Sequence, residues 1–166
     1  MQSITINDIA IRSDIKESDF DSIVSLHADL YSKEYGYGIN FEKHVNEGLK
    51  LFLDNYNPEK ERIWIAEHIG KFIGIVLLQD RGNDIAQLRY FLIHPDYRGI
   101  GLGKRLLELF FDLYKEKNYK NCYLWTTHEL SDAAILYKKF GFTLTEEVDS
   151  EAFGKKLKEQ RYDLIS

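Results

Sequence analysis

The sequence predicts one α/β domain, a mixed sheet with helices packed on it, and three observations carry that expectation. Apolar residues recur with strand and helix periods in the order β-α-α-β-β-β-α-β-α-β-β, whereas a doubly wound fold would alternate more strictly. A strand, a glycine-rich turn and an amphipathic helix follow one another without interruption between Leu88 and Leu113. With 166 residues, 44% of them hydrophobic, the chain can bury one ordinary core. Two prolines, no repeats and no low-complexity tract leave residues 1–166 as a single domain.

In chain order, Ile9-Ala10-Ile11-Arg12 reads as a short strand. Ser18-Asp19 is an N-cap signal for a helix carrying Phe20, Ile23, Val24, Leu26, Leu30 and Tyr31 at helical spacing. Tyr35-Gly36-Tyr37-Gly38 breaks that helix. Residues 41–56 form a second one, with Val45, Leu49, Phe52 and Leu53 on one face, and it stops before Asn57-Pro58. Residues 63–68 and 72–78 are strands joined at Gly70-Lys71, a hairpin signal. A turn over residues 80–84 leads into a strand over 85–93. A helix over 101–117 and a strand over 119–126 come next. Residues 131–140 form a short helix closed by Gly141, and strands over 142–148 and 160–165 end the chain.

The strand–turn–helix unit is the chemical signal. The apolar strand stops at His94-Pro95, and the turn reads Arg98-Gly99-Ile100-Gly101-Leu102-Gly103. Glycine tolerates positive φ and close approach of a ligand, and the first turn of a helix offers unpaired N–H groups at the positive end of its dipole. Together they make a phosphate cradle. Arg98, Lys104 and Arg105 crowd that same positive end, a misfit that a bound anion would offset. The spacing also fits a plain strand–helix connection with solvated cations. It does not match Walker A or the dinucleotide fingerprint GxGxxG.

Arg98-Gly99-x-Gly101-x-Gly103 after a strand, followed by a long amphipathic helix, resembles the acetyl-coenzyme A site of the GCN5-related N-acetyltransferase (GNAT) family. A second stretch, Ala133-x-x-Leu136-Tyr137-x-x-x-Gly141-Phe142, is similar to another signature of that family. The element order matches as well, so the resemblance spans nearly the whole chain. It implies a central, mostly antiparallel sheet flanked by helices. It implies acetyl-CoA as co-substrate, with the pyrophosphate on the main chain of Arg98, Gly99, Ile100, Gly101, Leu102, Gly103 and Lys104 and the pantetheine arm along Leu92 and Ile93. It also implies N-acetyl transfer to a primary amine by direct attack in a ternary complex, with Tyr137 beside the sulfur as general acid. Periodicity alone makes Tyr137 a core residue, since Ala133, Leu136, Tyr137 and Phe140 share one helical face.

Two departures qualify the likeness. The strand before the turn reads Ala86-Gln87-Leu88-Arg89-Tyr90, where many members carry a glutamate base, and Leu130 stands where an asparagine is frequent. The missing carboxylate supports the alternative of a non-catalytic acyl-CoA-binding regulatory domain. Glu34, His128 and Glu129 are candidate bases. Arg89, costly to bury unpaired, either pairs with an acid such as Glu67 or faces a cleft and holds a substrate carboxylate, the pairing being preferred. Tyr35 and Tyr37 belong to a tyrosine-rich segment that suits either an amine acceptor or core packing. Residues 124–130 and 154–162 resemble GNAT domains fused to MarR-type regulators, which suggests a small-molecule acceptor or a regulatory association.

Net charge of −5 and a pI near 5.6 argue against nucleic acid as partner. The scattered histidines lack metal-ligand spacing, so no metal is expected. One cysteine, Cys122, with no leader and no apolar run of spanning length, places the expectation in the cytoplasm, away from membranes. Edge strands allow a homodimer. The acidic residues Glu146, Glu147, Asp149 and Glu151 and the basic run Lys155, Lys156 and Lys158 read as solvated loop faces.

Overall fold

The run Ile73-Gly74-Ile75-Val76-Leu77-Leu78 has no polar face, so it is stable only where both sides of a strand are covered. In the computed structural model, which describes residues 3–164, this run is buried in β3 (Lys71–Asp80), near the middle of a seven-stranded sheet. The other strands are β1 (Ala10–Arg12), β2 (Arg62–His68), β4 (Ile85–Ile93), β5 (Asn121–Thr127), β6 (Phe142–Ser150) and β7 (Leu157–Leu164). The helices are α1 (Asp19–Tyr35), α2 (Ile39–Asp54), α3 (Leu102–Glu116) and α4 (Ser131–Lys139). The order of strands and helices is the expected one, and a 3-10 turn at Pro95–Tyr97 is added between β4 and α3. The last strand starts earlier than expected, at Leu157, and its expected end at Ile165 lies outside the described residues.

Across the sheet the strands run β1-β2-β3-β4-β5-β7-β6, antiparallel throughout except for the parallel pair β4–β5. Helices α1 and α2 cover one face, against Ile63, Ile65, Ile75, Leu77 and Leu92. Helices α3 and α4 cover the other, against Trp64, Ala66, Val76, Leu78 and Leu88. Alternation along β2 accounts for this division, since Ile63 and Ile65 face one layer while Trp64 and Ala66 face the other. No helix among the described residues is long and apolar enough to cross a membrane.

Local chemistry departs from expectation at three places. The β2–β3 hairpin turns on Ile69-Gly70, both at positive φ, one residue before the expected Gly70-Lys71. Ser18 makes no side-chain cap; the Asp19 carboxylate accepts the Lys16 N–H at 2.7 Å and binds Arg12 instead. Acidic and basic residues near the end are not loop faces alone. Glu146, Glu147 and Asp149 lie in β6, and Lys155 Nζ reaches inward to the Tyr35 carbonyl at 2.8 Å and to Glu129 at 2.7 Å.

Arg12 joins β1 to two other elements, donating to Asp19 on α1 at 2.5 and 2.9 Å and to Glu67 on β2. Asp19 is buried, so removing the guanidinium strands a carboxylate away from water. Arg12→Met is expected to cost about 3 kcal/mol, a fall of roughly 6–12 °C in the unfolding midpoint. Calorimetry checks this, and a midpoint unchanged from the parent chain would refute it.

Candidate active site

Strands β4 and β5 run parallel but pair over three residues only, Ile85 to Gln87 against Asn121 to Tyr123. Beyond that point β4 stays on β3 and β5 stays on β7, so the sheet splits. Edge groups of a buried strand need partners. Two cavities open at this split, and Tyr31, Phe91 and Leu130 line both.

A bulge in β4 sets what each cavity receives. Ile75 faces Leu92 and Leu77 faces Arg89, so Tyr90 and Phe91 together oppose the single residue Val76. Tyr90 takes φ +56°, a left-handed conformation uncommon for an aromatic residue. The extra residue leaves Phe91 packed on the α3–α4 layer while Tyr90 packs on the α1–α2 layer. Arg89 and Tyr90, though consecutive, meet: Arg89 Nη2 donates to the Tyr90 hydroxyl at 3.1 Å.

The first cavity, about 430 Å³, lies between the end of β4, the glycine turn and the start of α4. Gly99 and Gly101 have φ of +80° and +87°, which the turn requires and side chains resist. No acceptor among the described residues takes the N–H groups of Gly99, Ile100, Gly101, Leu102, Gly103 and Lys104; the first paired amide is that of Arg105, on the Gly101 carbonyl at 3.0 Å. Six successive donors at the head of a 15-residue helix have the chemistry to receive an anion. A Cβ on Gly103 would stand 3.1–3.2 Å from Leu136, Ile93 and Phe91, so glycine keeps the cavity floor open.

Leu92, Ile93, Arg98, Gly99, Gly101, Leu102, Gly103 and Lys104 line this cavity. Ile100 does not, its side chain packing on the core instead. The Arg98 amide bonds the Pro95 carbonyl, and its guanidinium is also engaged. Nε donates to the Ile93 carbonyl at 3.0 Å, and both Nη atoms grip Glu34 at 2.9 and 3.0 Å. This pair corrects the reading of Glu34 as a free base: the carboxylate locks the turn to α1.

The second cavity, about 520 Å³, is lined by Arg89, Tyr90, Tyr37, His27, His44, Glu159 and Tyr137, among others. Tyr35 lines only the first cavity, and exposed His128 lines neither, its Nδ1 accepting the Lys158 amide at 3.0 Å. Glu129 reaches the first cavity but is paired with Lys155. The expected Arg89–Glu67 pair is absent, because the register sets Arg89 opposite Leu77 and Glu67 opposite Phe72, where Glu67 serves Arg12; Arg89 bonds Gln79 Oε1 at 2.8 Å and Tyr90. Tyr37 is buried in an aromatic cluster with Phe41 and Phe153, and its hydroxyl meets Thr127 Oγ1 at 2.7 Å. Tyr137 is both a core residue and a lining residue; burial pushes its hydroxyl pKa up, so it stays protonated. Among the described residues no three metal-ligating side chains cluster.

The sequence reading missed His27, His44, Glu159 and the bulge at Tyr90. Only Gly48, a glycine inside an otherwise regular helical pattern, signals that something presses on α2 there.

Residues 59–144 match the family model described as Acetyltransferase (GNAT) domain. The uncharacterized N-acetyltransferase YjgM of Escherichia coli is 33% identical over 112 residues, covering 64% of this chain and 67% of that protein. A GNAT-family acetyltransferase from Staphylococcus aureus superposes with a TM-score of 0.77 at 22% identity, over 93% of this chain and 97% of that one. YncA of Salmonella typhimurium, solved with its cofactor acetyl-CoA, gives 0.69 at 18% identity over 95% and 94%.

His27 generates a stability prediction. Its Nδ1–H donates to the Ile23 carbonyl at 2.8 Å, Nε2 is buried without a partner, and desolvation lowers its pKa to about 4. The unfolded chain, with an imidazole near 6.5, binds the proton first. Stability is therefore full above pH 6.5 and falls as pH drops towards 4, by roughly 3 kcal/mol. Unfolding midpoints between pH 7 and pH 4.5 are expected to fall more steeply for the parent chain than for His27→Leu; equal slopes would remove His27 as the cause.

Proposed function

We propose, since this chain belongs to the GNAT acetyltransferase family, that it moves the acetyl group of acetyl-CoA to a primary amine by direct attack in a ternary complex. The single observation that carries this reading is the run of six amides from Gly99 to Lys104 that find no acceptor among the described residues, five of them on residues that line the first cavity. Those amides suit a diphosphate, and Leu92 and Ile93 lead from them towards the split in the sheet. The acetyl-CoA held by YncA supports acetyl-CoA as the donor. The likeness of residues 124–130 and 154–162 to GNAT domains joined to MarR-type regulators supports a small-molecule acceptor, which the second cavity would take.

The acetyl donor supplies an activated thioester carbonyl; the protein orients it and moves protons. The amine nitrogen bonds to that carbonyl carbon and the carbon–sulfur bond breaks, leaving a thiolate. Tyr137, held protonated by burial, gives its hydroxyl proton to that sulfur, and the proton that the nitrogen sheds as the amide forms restores the phenol. It sits in α4 next to Leu136, which lines the donor cavity, while its own ring faces the acceptor cavity. Proton removal from an ammonium falls to His44, at the rim of the acceptor cavity beside Phe153. Partial desolvation of its ring and the Arg89 cation lower its pKa below the ordinary 6.5, so at neutral pH the imidazole is free to accept a proton.

Acetyl-CoA is expected to raise the unfolding midpoint, and Gly103→Val to abolish that protection by filling the cavity floor. No protection of the parent chain would overturn the assignment of the turn. In steady-state assays of thiol release, Tyr137→Phe should lower kcat by about 10²–10⁴-fold with little change in the KM for acetyl-CoA. For the parent chain, kcat/KM for the amine should lose its acid limb below pH 6.5 when His44 becomes glutamine; a limb that stays in place would exclude His44 as the base.

A further inference from the structure

Arg89 is a cation in the acceptor cavity that the chain does not neutralise. Its partners among the described residues are the Gln79 amide oxygen at 2.8 Å, the Tyr90 hydroxyl at 3.1 Å and the Tyr90 ring, 4.7 Å from the guanidinium carbon. All three are neutral. The side chain is partly buried, and among the described residues no carboxylate comes within ion-pair distance. Two of the five N–H donors of a guanidinium are used, which leaves the fork open to a planar anion.

The surroundings are built for this side chain at some cost. The β4 bulge, with Tyr90 at φ +56°, turns two successive residues towards α2. Facing them on α2 is Gly48, where a Cβ would lie 2.5 Å from the Tyr90 hydroxyl and 2.9 Å from Arg89 Nη2. Glycine inside a helix gives up about 1 kcal/mol against alanine, so the helix concedes stability to admit the guanidinium. A purely structural arginine would meet an acid here, as Arg12 does with Asp19 and Glu67. Glu159, which lines the same cavity and makes no ion pair among the described residues, offers a carboxylate to a cation.

We infer that Arg89 receives a carboxylate of the acceptor, so that the amine acetylated here is an aminocarboxylate: an amino acid or a close analogue bearing its acid a few bonds from the nitrogen. The guanidinium takes the carboxylate through paired N–H donors while Glu159 faces the ammonium end. This rests on the transferase reading above and deepens it by naming the acceptor class.

The test uses the whole protein with acetyl-CoA and follows thiol release for matched acceptors: the common L-amino acids, β-alanine and 4-aminobutyrate, each beside its carboxamide. The free acid is expected to lead its carboxamide by about a hundredfold in kcat/KM, the scale of a charge-assisted pair of hydrogen bonds. That lead should vanish in Arg89→Met and shrink in Gly48→Ala, which displaces the guanidinium without removing its charge. The comparison of acid with carboxamide needs only the parent chain, so it stands whether or not the variants fold. Carboxamides used as well as acids would overturn the inference and leave the transferase reading intact. Silence across the whole panel, in a protein that acetyl-CoA still protects from heat, would overturn the inference, whereas loss of that protection would overturn the transferase reading.

Discussion

The short parallel pairing of β4 with β5 is the constraint on which the rest of the molecule depends. A parallel sheet buried between helix layers normally continues its ladder to the strand ends, because main-chain groups left without partners there are costly. Here the ladder ends at Gln87 and Tyr123, and the strands part before Arg89, Tyr90 and Trp125. The gap remains open because each strand is held by its neighbour on the other side, β4 by β3 and β5 by β7. Both cavities are consequences of that divergence, and the glycine turn and α4 are placed by the strands that diverge.

Charge at the turn works differently from what its cations suggest. Arg98 does not present its guanidinium as a phosphate ligand; it is spent on Glu34 and the Ile93 carbonyl. Its side chain is about two-fifths exposed, so the pair contributes little free energy, yet its bidentate geometry fixes the approach of α1 to the end of β4. Lys104 and Arg105 lie 3.9 Å from Glu108, which tempers their repulsion with the helix dipole. Attraction for an anion then falls mainly to the main chain, where it depends on backbone shape and hardly on which side chains flank the glycines.

That difference accounts for what could be read from the sequence. Glycine spacing and apolar period reach the fold and the turn directly, since both are local: Gly99 and Gly101 sit in left-handed conformations, and every expected strand and helix appears. The acceptor cavity is assembled from residues far apart in the chain, His27 and His44 from α1 and α2, Arg89 from β4 and Glu159 from β7. No period or motif joins them. Arg89 shows the limit most plainly: an acid for it can be named from sequence, but whether Glu67 is free depends on Arg12, 77 residues away. The bulge is similarly hidden, because nothing in Leu88-Arg89-Tyr90-Phe91-Leu92 marks an extra residue.

The bulge also explains how one strand serves two chemistries. Without an extra residue, β4 would alternate strictly, and the side chain after Arg89 would point to the α3–α4 layer. Insertion reverses the alternation at Tyr90, so Leu88 and Phe91 share one layer while Arg89, Tyr90 and Leu92 serve the other side. Phe91 then stands in the wall between the cavities, and its neighbours on the two sides belong to different tasks. Upstream of the bulge, β4 lends side chains to the second cavity; downstream, its end and the turn line the first. A strained φ at Tyr90 is worth keeping on these terms, because removing it would rotate Arg89 or Leu92 out of its cavity, and a single register cannot satisfy both.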